Sequence, residues 1–234
     1  MKTEKKIITI HQPDFFPWIG FFQRWQKSDL FIILDDVQFI RRGWHHRDKI
    51  KTLNGARWLT VPVEKKGRYF QPINKVKTSI SDNWKKQHLD TIYAAYKDAP
   101  RFEFLFPEIE TLYSKSFAKL IDINLTILNF VSTKLEITTP VTFASDLNIP
   151  SKGTDKLLQL IKKVDGTDYL TGLGSKNYLE ETKLTDEGIN VVWDDFAPPY
   201  YNQLHNGFIP GLSILDMLMM METDEIIKLL PETM

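Results

Sequence analysis

The stretch Ile8-Thr9-Ile10-His11-Gln12-Pro13-Asp14-Phe15-Phe16-Pro17-Trp18-Ile19-Gly20-Phe21-Phe22 decides the fold. An apolar segment runs into a polar His-Gln-Pro loop, and a helix-like pattern follows over 18–28, with Trp18, Ile19, Phe21, Phe22 and Trp25 on one side. Strand, tight polar loop and helix is the geometry by which α/β proteins present a nucleotide or phosphate site at the carboxyl edge of a sheet. Leu30-Phe31-Ile32-Ile33-Leu34 follows, apolar at every position, as in a strand buried on both faces of a parallel sheet. Residues 7–34 therefore read as one βαβ unit, with a right-handed crossover expected.

Working outward, 58–63 is a third strand candidate, ended by Pro62, and 65–72 is a loop. Residues 73–80 alternate weakly, as a further strand would. The pattern turns helical from Asp82, with Ser81 or Asp82 as cap, and Pro100 closes that helix. A longer helical region spans 107–133, with Pro107 at its start and a break near Asp122. Short strands are expected at 142–145, 168–172 and 189–193, and helices at 151–163, 178–187 and 213–230. The alternation predicts an α/β fold: a mostly parallel, Rossmann-like sheet with helices on both faces and a helical insertion at about 82–135, in one domain over 1–234.

The chain has 234 residues, 42% hydrophobic and 26% charged, an ordinary globular composition. Lys+Arg and Asp+Glu are equal at 30 each, which argues against a general grip on nucleic acid. The absence of cysteine excludes disulfides, thiolate catalysis and Cys-ligated zinc. The apolar part of the N-terminus is too short for a signal peptide, and no segment approaches membrane-spanning length. A cytoplasmic location is therefore expected, with a small-molecule partner, no nucleic acid and no membrane insertion.

Candidate site residues gather at element ends. His11, at the tip of the first strand, reads either as a base or phosphate partner or as a side chain that pins the turn; Gln12 reads likewise. Pro13 and Pro17 stiffen the loop, and Gly20 permits close backbone approach at the helix start. Asp35-Asp36 ends the second strand, where paired carboxylates suit Mg²⁺, a ribose hydroxyl, a helix cap or an ion pair. Gln38 lies just beyond. The run 41–51 carries five Arg/Lys against one Asp, and Arg47 and Lys51 in it suit phosphate binding, with a solvated loop as the alternative. His45-His46 make a poor metal pair, because neighbours in a strand point apart, and no metal site is expected. Gly172, Gly174, Ser175, Lys176 and Tyr178 form a Gly-rich turn between strand and helix whose N–H groups can cradle an anion, without the full P-loop or dinucleotide spacing. Trp18 and Trp44 are candidate stacking rings for a base or sugar. The cofactor is open between none, a nucleotide and Mg²⁺.

The blocks IHQPDFFPWIGFF, SDLFIILDDVQF, WHHRDKIKT, WLTVPV, YLTGLGSKNYL and FIPGLSILDMLM, in this order, resemble the WbqC-like protein family over nearly the whole chain. The resemblance implies a place in O-antigen or other surface-polysaccharide biosynthesis. It also implies a transferase role, the transfer of glycine or another acyl or aminoacyl group to an amino-sugar nucleotide or glycan precursor. It carries over His11, Gln12, Pro13, Pro17, Trp18, Gly20, Asp35, Asp36, Gln38, Arg47, Lys51, Gly172, Gly174 and Tyr178 as block residues, with no established roles. Where relatives commonly have Gln-Asn before the arginine, this chain has His45-His46. The first forty residues also resemble, in layout, the HIGH-superfamily nucleotidyltransferases such as pantothenate synthetase. Here Trp18-Ile19-Gly20-Phe21 keeps the motif glycine and lacks both motif histidines, which puts adenylyl transfer by that mechanism in doubt. Three readings stay open: a transferase, an ATP-dependent ligase or nucleotidyltransferase, and a non-catalytic sugar-nucleotide-binding protein.

Overall fold

A computed structural model describes residues 4–79 and 83–230. Its strands are β1 (Ile7–His11), β2 (Leu30–Ile33), β3 (Arg47–Thr52), β4 (Gly55–Thr60), β5 (Val141–Phe143), β6 (Asp168–Gly172) and β7 (Asn190–Asp194). Five of them form one all-parallel sheet in the order β5-β2-β1-β6-β7. β3 and β4 pair antiparallel in a separate hairpin.

The continuous apolar runs are explained by burial on both faces. Helix α1 (Ile19–Gln26) lies on one face, where Phe21, Phe22 and Trp25 meet Phe31 and Ile33 of β2. The Trp25 ring stacks on Phe31 at 4.8 Å between centroids. Three helices follow the hairpin and extend this core: α2 (Trp84–Tyr96), α3 (Phe102–Ser114) and α4 (Leu120–Lys134). After the short α5 (Ala144–Leu147), α6 (Gly153–Lys163) covers the opposite face, with Leu157, Leu160 and Ile161 against Ile8, Ile10 and Ile32. α7 (Glu181–Thr185) joins that face, and α8 (Ile214–Met220) and α9 (Thr223–Leu229) end the chain on the first.

Several local expectations are corrected. The 58–63 strand is β4, which ends before Pro62 and pairs with β3 outside the main sheet. The segment expected extended over 73–80, described up to residue 79, contains a 3-10 turn at Ile73–Lys75, and its extended pairing is two isolated bridges, Val63 with Thr78 and Lys77 with Lys119. Pro107 lies inside α3 rather than at a helix start, so the turn it interrupts is held by the buried Phe102, Leu105 and Ile109 around it. The 178–187 segment is preceded by a 3-10 turn, Leu173–Asn177, and only Glu181–Thr185 within it is helical. The terminal 213–230 segment is two helices, because Glu222 starts α9 in a capping box with Glu225. The Ser81 and Asp82 caps fall outside the described residues.

Candidate functional site

The chain lays β2 and β5 on one side of β1 and β6 and β7 on the other. Connections leaving the carboxyl ends of β1 and β6 therefore diverge, and such a switch point opens a crevice. A cleft of about 940 Å³ lies there, lined by His11 and Gln12 after β1, by Thr171 to Ser175 after β6, and by Asp194 after β7. That volume suits a nucleotide-sized ligand.

The β1 loop is held from outside the sheet. Asn124 of α4 donates to the carbonyls of Pro13 (2.8 Å) and His45 (2.7 Å), and Phe15 N–H donates to Trp44 O (3.1 Å). Phe16 within it is left-handed (φ 45°), a conformation a bulky residue adopts only when its surroundings impose it. Gly20 has a specific use: a Cβ there would lie 2.2 Å from the Trp18 ring, so the glycine lets that indole fold over the helix start and face the cleft.

The side chains at this loop form an acid–base cluster. His11 Nδ1 lies 2.9 Å from Gln12 O, so Nδ1 carries the proton and Nε2 keeps the lone pair. Burial lowers the imidazole to about 3, with Arg24 adding to the effect, and the ring is neutral at pH 7 although 30% of its side chain faces the cleft. Asp14 Oδ2 is 3.8 Å from His11 Nδ1. Burial raises Asp14 to about 7, against the opposing pull of Arg24. Asp48, on β3, is raised to about 8 by burial, against the hydrogen bond from Lys49 N–H and with Asp14 pushing the same way as burial. Both carboxyls line the cleft.

A buried guanidinium also lines the cleft. Arg24 of α1 is buried and 3.4 Å from Asp194 Oδ2, while Lys27 (3.6 Å) and Gln23 (3.1 Å) share Oδ1 of the same carboxylate. Two cations thus share one anion. Burial lowers Arg24 from its ordinary value and Asp194 opposes that, so it stays charged. Gly172 makes room: a Cβ there would meet the guanidinium at 3.3 Å. Beyond it, hydroxyls chain from Thr171 to Ser175 (2.9 Å) and from Ser175 to Tyr178 (2.9 Å).

Of the residues marked by the sequence, His11, Gln12, Pro17, Trp18, Trp44, Gly172, Gly174, Ser175 and Tyr178 line this cleft. The others sit elsewhere. Asp35 accepts from Ser145 N–H (3.0 Å) and Asn74 Nδ2 (3.0 Å), tying β2 to its neighbours. Asp36 pairs with Lys156 at 2.7 Å. Asp35 is committed through both oxygens and Asp36 through Oδ2, and among the described residues no group of three or more His, Asp or Glu is placed to hold a metal. The pair does not fit Mg²⁺. Gln38 is exposed and donates to Tyr69 O (3.4 Å). Arg47 donates to Arg42 O (2.7 Å) and lies over Trp58. Lys51 is buried, with its ammonium on the carbonyls of His205 and Gly207. It fastens the 196–211 loop, part of which edges the cleft.

Asp14, Arg24, Asp48, Lys156 and Asp194 were not anticipated. Asp14 sits inside the opening block, three residues after His11; Arg24 is a cation among the aromatics of an apolar helix; Asp48 is the lone acid of a basic run. Each was a visible irregularity. Asp194 carries no local sign, since its partners come from α1.

Comparison with known proteins agrees with the block resemblance. A protein of Mycobacterium tuberculosis (strain ATCC 25618 / H37Rv), described as uncharacterized protein Rv1507c, is 33% identical over 215 residues, covering 91% of this chain and 93% of the relative. No solved structure matches the chain. The family model of the WbqC-like proteins matches residues 12–228, from the loop at the tip of β1 to the last helix, and the chain belongs to the WbqC-like protein family.

Proposed function

We propose that this protein is a transferase that moves an acyl or aminoacyl group, such as glycyl, onto the amine of an amino-sugar nucleotide or related glycan precursor. The observation that carries the reading is the pairing of a neutral His11 with a protonatable Asp14 at the open end of β1, in the same cleft as the buried guanidinium of Arg24. An amine nucleophile needs a base, an acyl carbon develops an oxyanion, and a nucleotide brings phosphate. Each demand has a group in one cleft.

In the proposed reaction the acceptor amine attacks the acyl carbon and gives its proton to His11 Nε2. Alone, an imidazole lowered to about 3 is a weak base. Ionised Asp14, with its Oδ2 3.8 Å from Nδ1, stabilises the imidazolium, so the two titrate as a pair. Collapse of the tetrahedral intermediate breaks the bond to the donor's leaving group, which takes a proton from Asp48, raised to about 8. Gln12 has its Oε1 held 2.6 Å from His45 Nε2, which leaves its NH₂ free to donate to the oxyanion. Phosphate would sit on Arg24 and the Gly172–Ser175 turn rather than on Arg47 and Lys51.

The test is conversion of an amino-sugar nucleotide, with aminoacyl or acyl donors, to a product of increased mass. kcat/KM should rise with pH through about 7, and Asp14→Asn should abolish that limb. Full turnover by His11→Ala would sink the base assignment. Tight nucleotide-sugar binding without turnover on any donor would make the chain a binding protein. The switch-point position of the cleft also suits a mononucleotide. Pyrophosphate release that needs both ATP and a carboxylic acid would therefore place the protein among ligases instead.

A further inference from the structure

The zero net charge conceals an uneven distribution. Residues 41–68 hold nine of the thirty Lys/Arg and only two of the thirty Asp/Glu. Of the nine, Lys51 is buried on backbone carbonyls and Arg68 pairs with Glu64 at 2.9 Å. Among the described residues, none of the other seven has a carboxylate within ion-pairing distance.

These cations share a surface with exposed apolar side chains. Arg47 lies 4.2 Å over the Trp58 ring, and Lys49 lies 4.8 Å from Trp58 and 5.9 Å from Trp44. The two indoles are 5.3 Å apart. Arg41 lies over Tyr69 at 5.4 Å and donates to Lys65 O (2.8 Å), which joins the 64–70 loop to the hairpin side. Phe70 is 79% exposed, Tyr69 59% and Ile40 55%. Scattered apolar residues on a surface need no explanation, but a cluster interleaved with unpaired cations does.

We propose that this face is a peripheral docking surface for anionic phospholipid membranes. The cations meet headgroup phosphates, and Ile40, Tyr69 and Phe70 reach the headgroup–acyl boundary. Charge complementarity selects an anionic surface. The apolar side chains select lipid over an acidic glycan, which would use the cations and leave Ile40 and Phe70 in water, and the aliphatic Ile40 offers a base no ring to stack on. Among the described residues no helix is long and apolar enough to cross a membrane, so the contact is adsorption. Ile40 and Trp44 also line the cleft, whose mouth therefore opens beside the docked face.

The test is co-sedimentation of the full chain with vesicles of pure phosphatidylcholine and of phosphatidylcholine mixed with phosphatidylglycerol. Binding should require the anionic lipid and weaken with salt. A surface cation is worth about fivefold in vesicle affinity, so Arg42→Glu with Lys66→Glu should lower it by more than tenfold. Phe70→Ser should lower it severalfold without changing the salt dependence. All three positions are exposed, and unchanged melting temperatures would show that folding is not the cause. Equal binding to both vesicle types, or no loss in the charge-reversed variant, overturns the proposal. So does tighter binding to poly(U) or polygalacturonate that ignores Phe70→Ser, which would make the face a polyanion site.

Discussion

β1 and β2 are hydrogen-bonded neighbours that both end in polar residues, yet their ends serve opposite purposes. After β1, His11 and Gln12 face the cleft; after β2, Asp35 and Asp36 are taken up by Ser145, Asn74 and Lys156. The difference is position in the sheet. β1 borders β6, where the connections part company, whereas β2 lies between β1 and β5, where the chain continues in one direction. A polar strand end at the switch point stays open to the cleft, and one beside it is consumed by the fold.

The strongest way to break that contrast is paired substitution. His11→Ala should cut turnover by about 10²–10⁴-fold while the melting temperature barely moves. Asp35→Ala should do the reverse. It strands Ser145 N–H and the Asn74 amide in a buried site, at a cost of about 2–3 kcal/mol, read by urea denaturation, while ligand affinity per folded molecule holds. Exchanged outcomes would put the site on β2.

The cleft should also destabilise the fold in a pH-dependent way. Asp48 holds its proton to about 8 in the folded state, whereas the unfolded chain releases it near 3.8. Between these values the folded protein binds more protons, so stability falls as pH rises. Asp48→Asn should flatten that loss and gain about 2 kcal/mol at pH 8 over wild type, with little change at pH 4. His11, His45, His46 and His88 are displaced the other way, to about 3 or 4. Their contribution is lost as pH falls from 6.5 toward those values, which steepens the acid limb. A melting profile rising steadily from pH 5 to 8 would contradict the burial of Asp48.

The smallest effect sharpens the picture of the loop. Asn124→Ala removes the two hydrogen bonds that tie the β1 loop to α4, at about 1–2 kcal/mol of stability. Its diagnostic sign is a fall in kcat at unchanged ligand affinity, as for misplaced groups. If only stability changed, the helical insertion would be a prop for the core.

Legibility followed the range of the forces. β1, α1 and β2 were readable because their apolar periodicity is local and each strand is buried on both faces. The 73–80 segment was not, because a weak alternation beside Pro72 was outweighed by backbone bonds to distant residues 35 and 37. In the site, His11, Gln12 and the Gly172–Ser175 turn announced themselves as polar or glycine residues at strand ends. Lys51 misled: it stands in a basic run that looks solvated, but the loop near His205 closes over it.

By itself, the sequence determined the parallel α/β core, the family and the polar end of β1 that borders the cleft. Apolar periodicity and the block residues are properties of neighbours along the chain. Only the tertiary structure decided which polar groups remain open. That choice rests on partners more than a hundred residues apart, such as Arg24 with Asp194 and Asp36 with Lys156. It rests also on the desolvation that holds His11 neutral and raises Asp14 to about 7 and Asp48 to about 8.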